Sequence, residues 1–216
     1  MEAEALGSGG GGGDGRGGWG GLLEEDDDCT RIETTVTDEA AVVANWVQEV
    51  LSMYGGQSMI VGLDCEWKPN SYAFENNKTA TLQLCVDAKC LILQLFYLDF
   101  IPQSLKNFMV HPSVTFVGVG VQDDVYKLQQ EYGLVCSASA MKDIQEMAMA
   151  RHPLEFIRRP GLKDLASWFV GLNMSKPIHV CRSNWEARNL SLDQIEYACI
   201  DAYASYRIGR KLLNGR

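Results

Sequence analysis

The chain has 216 residues, 46% hydrophobic content, 6 prolines, and 19 Lys+Arg against 28 Asp+Glu. That length suits one domain or one domain with a tail, and the near-average composition excludes wholesale disorder, collagen and a disulfide scaffold. No apolar run reaches the roughly 18–20 residues of a membrane span, and the glycine-rich, acidic beginning excludes both a secretory signal and an acid-poor transit peptide.

Residues 1–30 hold Glu2, Glu4, Asp14, Glu24, Glu25, Asp26, Asp27 and Asp28 against Arg16 alone, so -7 of the net charge of -9 belongs to them. The remaining -2 leaves the rest of the chain nearly neutral and compatible with a nucleic-acid partner. Gly7 to Gly21 contains eleven of the 21 glycines, and the acidic run Glu24–Asp28 follows. Such a stretch buries too little apolar surface to offset its ordering entropy, so a disordered tail over 1–30 is expected, with a domain over 31–216. The single Arg16-Gly17-Gly18 reads as flexible linker rather than as an RNA-binding repeat.

From Ile32 onward the pattern is globular. Thr37 is placed to cap a helix in which Val43, Trp46, Val47, Val50 and Leu51 recur at helical spacing, and Gly55-Gly56 ends it. Three β-type runs follow: Met59–Trp67, Thr79–Val86 and Cys90–Leu95, the last two joined by Asp87-Ala88-Lys89 as a hairpin. A helix over Gln103–Met109 precedes a fourth apolar run, Val114–Val119. Helices are then expected near Gln122, over Lys142–Ala150, over Leu162–Phe169 and, longest, over Leu192–Leu213. This order predicts an α/β sandwich with a mixed sheet.

Seven unclustered cysteines with no C-x-x-C pair read as reduced thiols inside the cell. Three histidines without an H-x-x-x-H argue against zinc.

Three segments carry candidate chemistry. In Ile60-Val61-Gly62-Leu63-Asp64-Cys65-Glu66-Trp67, side chains alternate, so Asp64 and Glu66 share one face of a strand. About one D-x-E is expected by chance in a chain of this composition, so the spacing alone decides nothing. Either the strand ends at Leu63 and the acids are solvated, or they are buried around a cation, most simply a divalent metal with oxygen ligands. In the last helix, Tyr197 and Asp201 stand at i and i+4 on one face, where such residues are usually on the surface. Gly118-Val119-Gly120 leads into Asp123 and Asp124. The third glycine of a dinucleotide fingerprint is missing, so the glycines read as a close turn, and the acids suit the first turn of a helix.

Together these segments resemble the four-carboxylate DEDD exonuclease superfamily in its tyrosine-bearing branch, and within it the Werner-syndrome-type 3′→5′ exonuclease domain, including small stand-alone plant members. The resemblance rests on Asp64-x-Glu66, Asp124 and Tyr197-x-x-x-Asp201 in that order. It extends through Thr81–Cys85, Gly118–Val121 with Lys127-Leu128, Gly161–Leu165, Ser183-Asn184-Trp185 and Leu192–Ala204, over roughly residues 33–213. In that family the second-motif acid follows the first glycine of G-V-G by six positions, which selects Asp124 over Asp123.

What the resemblance implies is an RNase H-like (DnaQ-like) exonuclease fold with a mixed five-stranded sheet flanked by helices. It also implies hydrolysis of phosphodiester bonds with two Mg²⁺ or Mn²⁺ ions roughly 3.5–4 Å apart. Asp64 would bridge both ions, Glu66 and Asp201 would complete one site, Asp124 would hold the second, and Tyr197 would orient or help deprotonate the nucleophile. Leu63 and Trp67 are expected to contact the terminal nucleotide, since stacking on a single strand tolerates any base. Arg151-His152, Arg158-Arg159, Lys163, Lys176 and Arg182 could follow phosphates or form an ordinary solvated face.

The implied partner is a single-stranded 3′ end, DNA or RNA, in nucleus or cytoplasm and not at a membrane. The absence of a helicase or accessory module implies limited processivity, and a ring-shaped homo-oligomer is known among relatives. The alternative is a non-catalytic binding or scaffold protein that retains the fold, which the presence of all four acids and the tyrosine opposes.

Overall fold

The computed structural model describes residues 18–25, 28–70, 72 and 76–215. Its core is one mixed sheet built from β2 (Asp28–Thr37), β3 (Met59–Trp67), β4 (Thr79–Val86), β5 (Lys89–Gln94), β6 (Val114–Gly118) and β7 (Met141–Asp143). With β1 (Gly18–Glu25) the spatial order is β1-β2-β5-β4-β3-β6-β7. Strand β4 runs antiparallel to both β3 and β5, while β2 joins β5, β6 joins β3 and β7 joins β6 in parallel.

The sheet is therefore wider than the five strands expected. A three-residue strand such as β7 is too short to show a period of two in sequence. Two of its residues, Lys142 and Asp143, were expected to open a helix that in fact begins two residues later as α4 (Ile144–Arg151). Ahead of the expected domain start, β1 pairs with β2 as an antiparallel hairpin. A ladder of backbone hydrogen bonds makes no demand on side-chain hydrophobicity, which is the property the low-complexity reading weighed. The remainder of that tail, residues 1–17, 26 and 27, lies outside the described residues.

Alternation along the central strands divides the core in two. Val61, Leu63 and Cys65 of β3, with Leu82, Leu84, Leu91 and Leu93, pack against α1 (Ala40–Tyr54), α2 (Gln103–Met109) and α3 (Val121–Tyr132). The other face, with Ile60, Cys85, Cys90 and Ile92, packs against α4, α5 (Leu162–Val170) and α7 (Leu192–Asn214). Between α5 and α7 lies the short α6 (Ile178–Cys181), whose four residues gave no period to read.

Helix ends follow local chemistry. The Ser191 hydroxyl and the Gln194 side chain cap α7 reciprocally. The expected cap Thr37 sits two residues before the actual N-cap Glu39, whose N–H it accepts at 3.0 Å. Among the described residues no helix is long and apolar enough to cross a membrane, and Cys65, Cys85, Cys90, Cys136, Cys181 and Cys199 are free thiols.

Candidate active site

The site lies where β3 ends and α7 crosses it. Gly62 allows this crossing: a Cβ there would stand 2.0 Å from the Ala202 carbonyl oxygen and 2.8 Å from the Tyr206 nitrogen. The backbones of strand and helix touch, so Asp64, two residues along β3 on the same face, meets Asp201 on α7. Asp64, Glu66 and Asp201 each offer a carboxylate oxygen, and these oxygens lie within 4.8 Å of one another. The strand does not end at Leu63. It continues through Trp67 and leaves both acids half-buried.

Asp124 reaches the same region from the first turn of α3 and is buried, with Asp64 the charge that acts on it most strongly. Gly120 starts this helix at φ +69, a left-handed conformation that suits glycine, and its N–H donates to Asp143 at 2.9 Å. The turn is thus tied to the β7 edge and α3 is aimed at the end of β3. Asp124 stands outside the three-carboxylate cluster, beside Asp64 rather than among all three.

The electrostatics follow from burial. Desolvation, then the Asp201 charge, pushes Asp64 up to about 7, while Lys176 pulls it down. Desolvation and the neighbouring Asp64 and Asp201 push Glu66 up to about 10. Asp124 is held well above the usual carboxylate range by burial and by Asp64. Asp201 is raised by burial but drawn back by Lys176 and the Tyr197 hydroxyl. Tyr197, buried on α7, is itself pushed far up by desolvation and by Asp201, so it stays a neutral phenol.

Lys176 was one of several basic residues with no assigned place, and the structure singles it out. Its Nζ lies 2.7 Å from Asp201 Oδ2 and 5.3 Å from the Tyr197 ring centroid. It is the cation that lowers Asp64, Glu66 and Asp201 alike. No spacing could have announced it, because a loop brings it to α7. Gln83 and Thr81 were legible in principle as polar positions at period two in an otherwise apolar β4. They pair in register with Asp64 and Glu66, are fully buried, and hydrogen-bond each other at 2.7 Å. Gln83 Oε1 has no hydrogen-bond partner among the described residues. Cys181 of α6 adds a thiol beside the Tyr197 hydroxyl.

The two residues expected to contact the terminal nucleotide, Leu63 and Trp67, sit differently. Leu63 is only 1% exposed and belongs to the core beneath α1–α3, since alternation turns it away from Asp64. Trp67 follows a register shift in β3, is partly exposed, and lies 5.1 Å beneath Lys127 Nζ.

A family model described as 3′-5′ exonuclease matches residues 34–215. The chain belongs to this 3′-5′ exonuclease family. A 3′-5′ exonuclease of Arabidopsis thaliana is 34% identical over 155 residues, which are 70% of this chain and 52% of the relative. The bifunctional 3′-5′ exonuclease/ATP-dependent helicase WRN of Mus musculus is 29% identical over 79% of this chain and 12% of its own length. The exonuclease-family chain thus spans about half of the first relative and a small part of the second. Among solved structures, Escherichia coli RNase D, an exoribonuclease involved in structured RNA processing, matches with a TM-score of 0.69 at 19% identity. That match covers 85% of this chain and 45% of RNase D. The catalytic core of RRP6 from Trypanosoma brucei gives 0.68 at 16% identity, over 84% and 46%. Likenesses this distant in sequence speak for the fold, which is the RNase H-like exonuclease fold.

Proposed function

We propose that this chain hydrolyses phosphodiester bonds from the 3′ end of single-stranded or 3′-recessed DNA or RNA and releases nucleoside monophosphates, with residues 31–216 as the catalytic unit. One observation carries the reading: Asp64, Glu66 and Asp201 converge to within 4.8 Å, the first two half-buried and the third buried. Carboxylates so placed repel one another unless protonated or neutralised. Only Lys176 among the described cations opposes that repulsion across all three.

The donor set fits Mg²⁺ or Mn²⁺: all ligands are hard oxygens, and the unpaired Gln83 Oε1 beside Asp64 leaves an acceptor for water nearby. Asp64, Glu66 and Asp201 would hold one ion, and Asp64 with Asp124 a second. Bound there, two such ions would stabilise negative charge on the attacking and departing oxygens of an in-line displacement.

The chain's own residues then have separate tasks. Tyr197, neutral and buried, would fix the attacking water by hydrogen bonding rather than remove its proton as a phenolate. Lys176 can turn from Asp201 toward the phosphate once the carboxylates are neutralised. Trp67 would stack on the terminal base, its ring held by the Lys127 ammonium. The free thiols fit a reducing compartment, nucleus or cytoplasm.

Asp64→Asn and Asp201→Asn test the reading. Each is expected to keep the wild-type circular dichroism spectrum while losing at least about 10²–10³-fold in Mg²⁺-supported hydrolysis of DNA and RNA oligonucleotides. Unchanged hydrolysis by either variant would reject the assignment.

A further inference from the structure

A buried polar group beneath the carboxylates lacks a partner for one of its ends. In β4, Thr81, Gln83 and Cys85 point to the α7 face of the sheet, and the register sets Gln83 directly opposite Asp64 and Thr81 opposite Glu66. Gln83 and Thr81 are both 0% exposed. Gln83 Nε2 donates to Thr81 Oγ1 at 2.7 Å, which pins the amide, while Gln83 Oε1 has no hydrogen-bond partner among the described residues. Turning the amide over only exchanges its ends: Thr81 then serves Oε1 and Nε2 is left over.

The residues opposite Gln83 do not supply the missing donor. On β3 it faces Asp64, whose ionised carboxylate only accepts, and on β5 it faces the hydrocarbon Ile92. A buried oxygen without a donor destabilises a fold, and an apolar side chain would suit this strand, whose eight residues are all buried. Three other buried side-chain atoms among the described residues share this condition. Trp46 Nε1 and Ser104 Oγ belong to α1 and α2 on the other face of the sheet, and Thr79 Oγ1 to the residue opposite Trp67. Gln83 alone of the four stands opposite a member of the carboxylate cluster. Directly opposite residues of an antiparallel pair have Cβ atoms about 4.5–5.5 Å apart, so side chains of this length can share one water.

We propose that Gln83 is a positioning residue for the metal-binding carboxylates: anchored by Thr81, its amide holds the Asp64 carboxylate in its ligating orientation through one shared water. This rests on the metal-dependent reading of the site given above. Such a water donates one hydrogen to Gln83 Oε1 and the other to Asp64, which satisfies the buried oxygen and fixes the carboxylate at once. Partners that orient metal ligands in this way typically account for about 10–100-fold in metal affinity or activity.

Gln83→Met in the full chain tests this, because the substitution keeps length and volume and removes both polar ends. If Gln83 positions Asp64, Mn²⁺ binding followed by calorimetry weakens about tenfold or more. The melting temperature in chelator stays equal or rises, since the unpaired oxygen is gone. Hydrolysis of a DNA oligonucleotide should fall at limiting Mn²⁺ and recover as Mn²⁺ is raised, with an unchanged KM for the strand.

Wild-type Mn²⁺ affinity in Gln83→Met, at an equal or higher melting temperature, would overturn the proposal and leave Gln83 as core filling. Should Gln83→Met melt early, Thr81→Val takes its place, because it keeps Gln83 and cuts its anchor. Weaker Mn²⁺ binding by Thr81→Val then supports the proposal, and wild-type binding overturns it. A wild-type protein that binds no Mn²⁺ would overturn the metal reading of the carboxylates and this proposal with it, whereas equal binding by wild type and variant overturns this proposal alone.

Discussion

A β-carbon on Gly62 would lie 2.0 Å from the carbonyl oxygen of Ala202. This contact sets the distance between β3 and α7, and with it the distance between Asp64 and Asp201, each one or two residues away. Gly62→Ala must push the helix off the strand. It should cost roughly 1–3 kcal/mol or more, as overpacked cores do, and should separate the carboxylates. Urea unfolding of the variant and its hydrolysis rate in Mg²⁺ should fall together. Wild-type values of both would show that the crossing tolerates a side chain.

Lys176 neutralises the carboxylates from inside the protein. Removing one partner of a fully buried pair costs about 3–5 kcal/mol. Lys176 keeps 27% of its side chain exposed while Asp201 keeps 4%, so Lys176→Gln is expected to cost the metal-free protein less, roughly 1–3 kcal/mol. Saturating Mg²⁺ should shrink the difference, because the cation takes over the neutralisation. Denaturant melts with and without Mg²⁺ check this. A loss that is equal in both conditions would mean that Lys176 only packs.

The raised carboxyls make the metal-free protein sensitive to pH in a defined direction. Asp64 titrates at about 7 instead of 3.8, and Glu66 at about 10 instead of 4.5. Across that window the folded chain holds more protons than the unfolded one, so stability falls as pH rises. The contribution is complete below about pH 4 and is lost as pH climbs through 7 and on toward 10. In chelator the melting temperature should be lower at pH 8 than at pH 5.5, and the drop should be smaller in Asp64→Asn or with Mg²⁺ present. A melting temperature that rises over this range would contradict the burial of these acids.

Much of this arrangement was legible in the sequence. Asp64 and Glu66 share a strand face by parity, Tyr197 and Asp201 share a helix face by the 3.6-residue period, and Gly118–Gly120 marks the turn that delivers Asp124. What sequence could not reveal depends on which elements meet. The same parity rule that pairs the acids turns Leu63 into the core beneath α1–α3. Lys176 reaches Asp201 through a loop, and a three-residue strand such as β7 has no period to detect. The hairpin of β1 with β2 relies on backbone bonding, to which composition is blind.

Tyr197 is held as a neutral phenol by burial and by Asp201. Tyr197→Phe should therefore fold and bind Mn²⁺ like the wild type while losing about 10²-fold in turnover, the low end of what a positioned proton-handling group contributes. Mn²⁺ titration followed by single-turnover kinetics separates the two effects. A weakened Mn²⁺ affinity with unchanged turnover would place the hydroxyl in the ligand set instead.

The central claim is that the carboxylates on β3, α3 and α7 cut nucleic acid one nucleotide at a time from its 3′ end. The direct measurement is the product pattern from 5′-labelled single-stranded DNA and the matching RNA, each incubated with Mg²⁺ or Mn²⁺. A ladder of labelled strands shortening from the 3′ end, abolished by chelator and by Asp64→Asn, is the predicted result. Intact strands from a folded wild-type protein with either ion, or a ladder that Asp64→Asn leaves untouched, would contradict it.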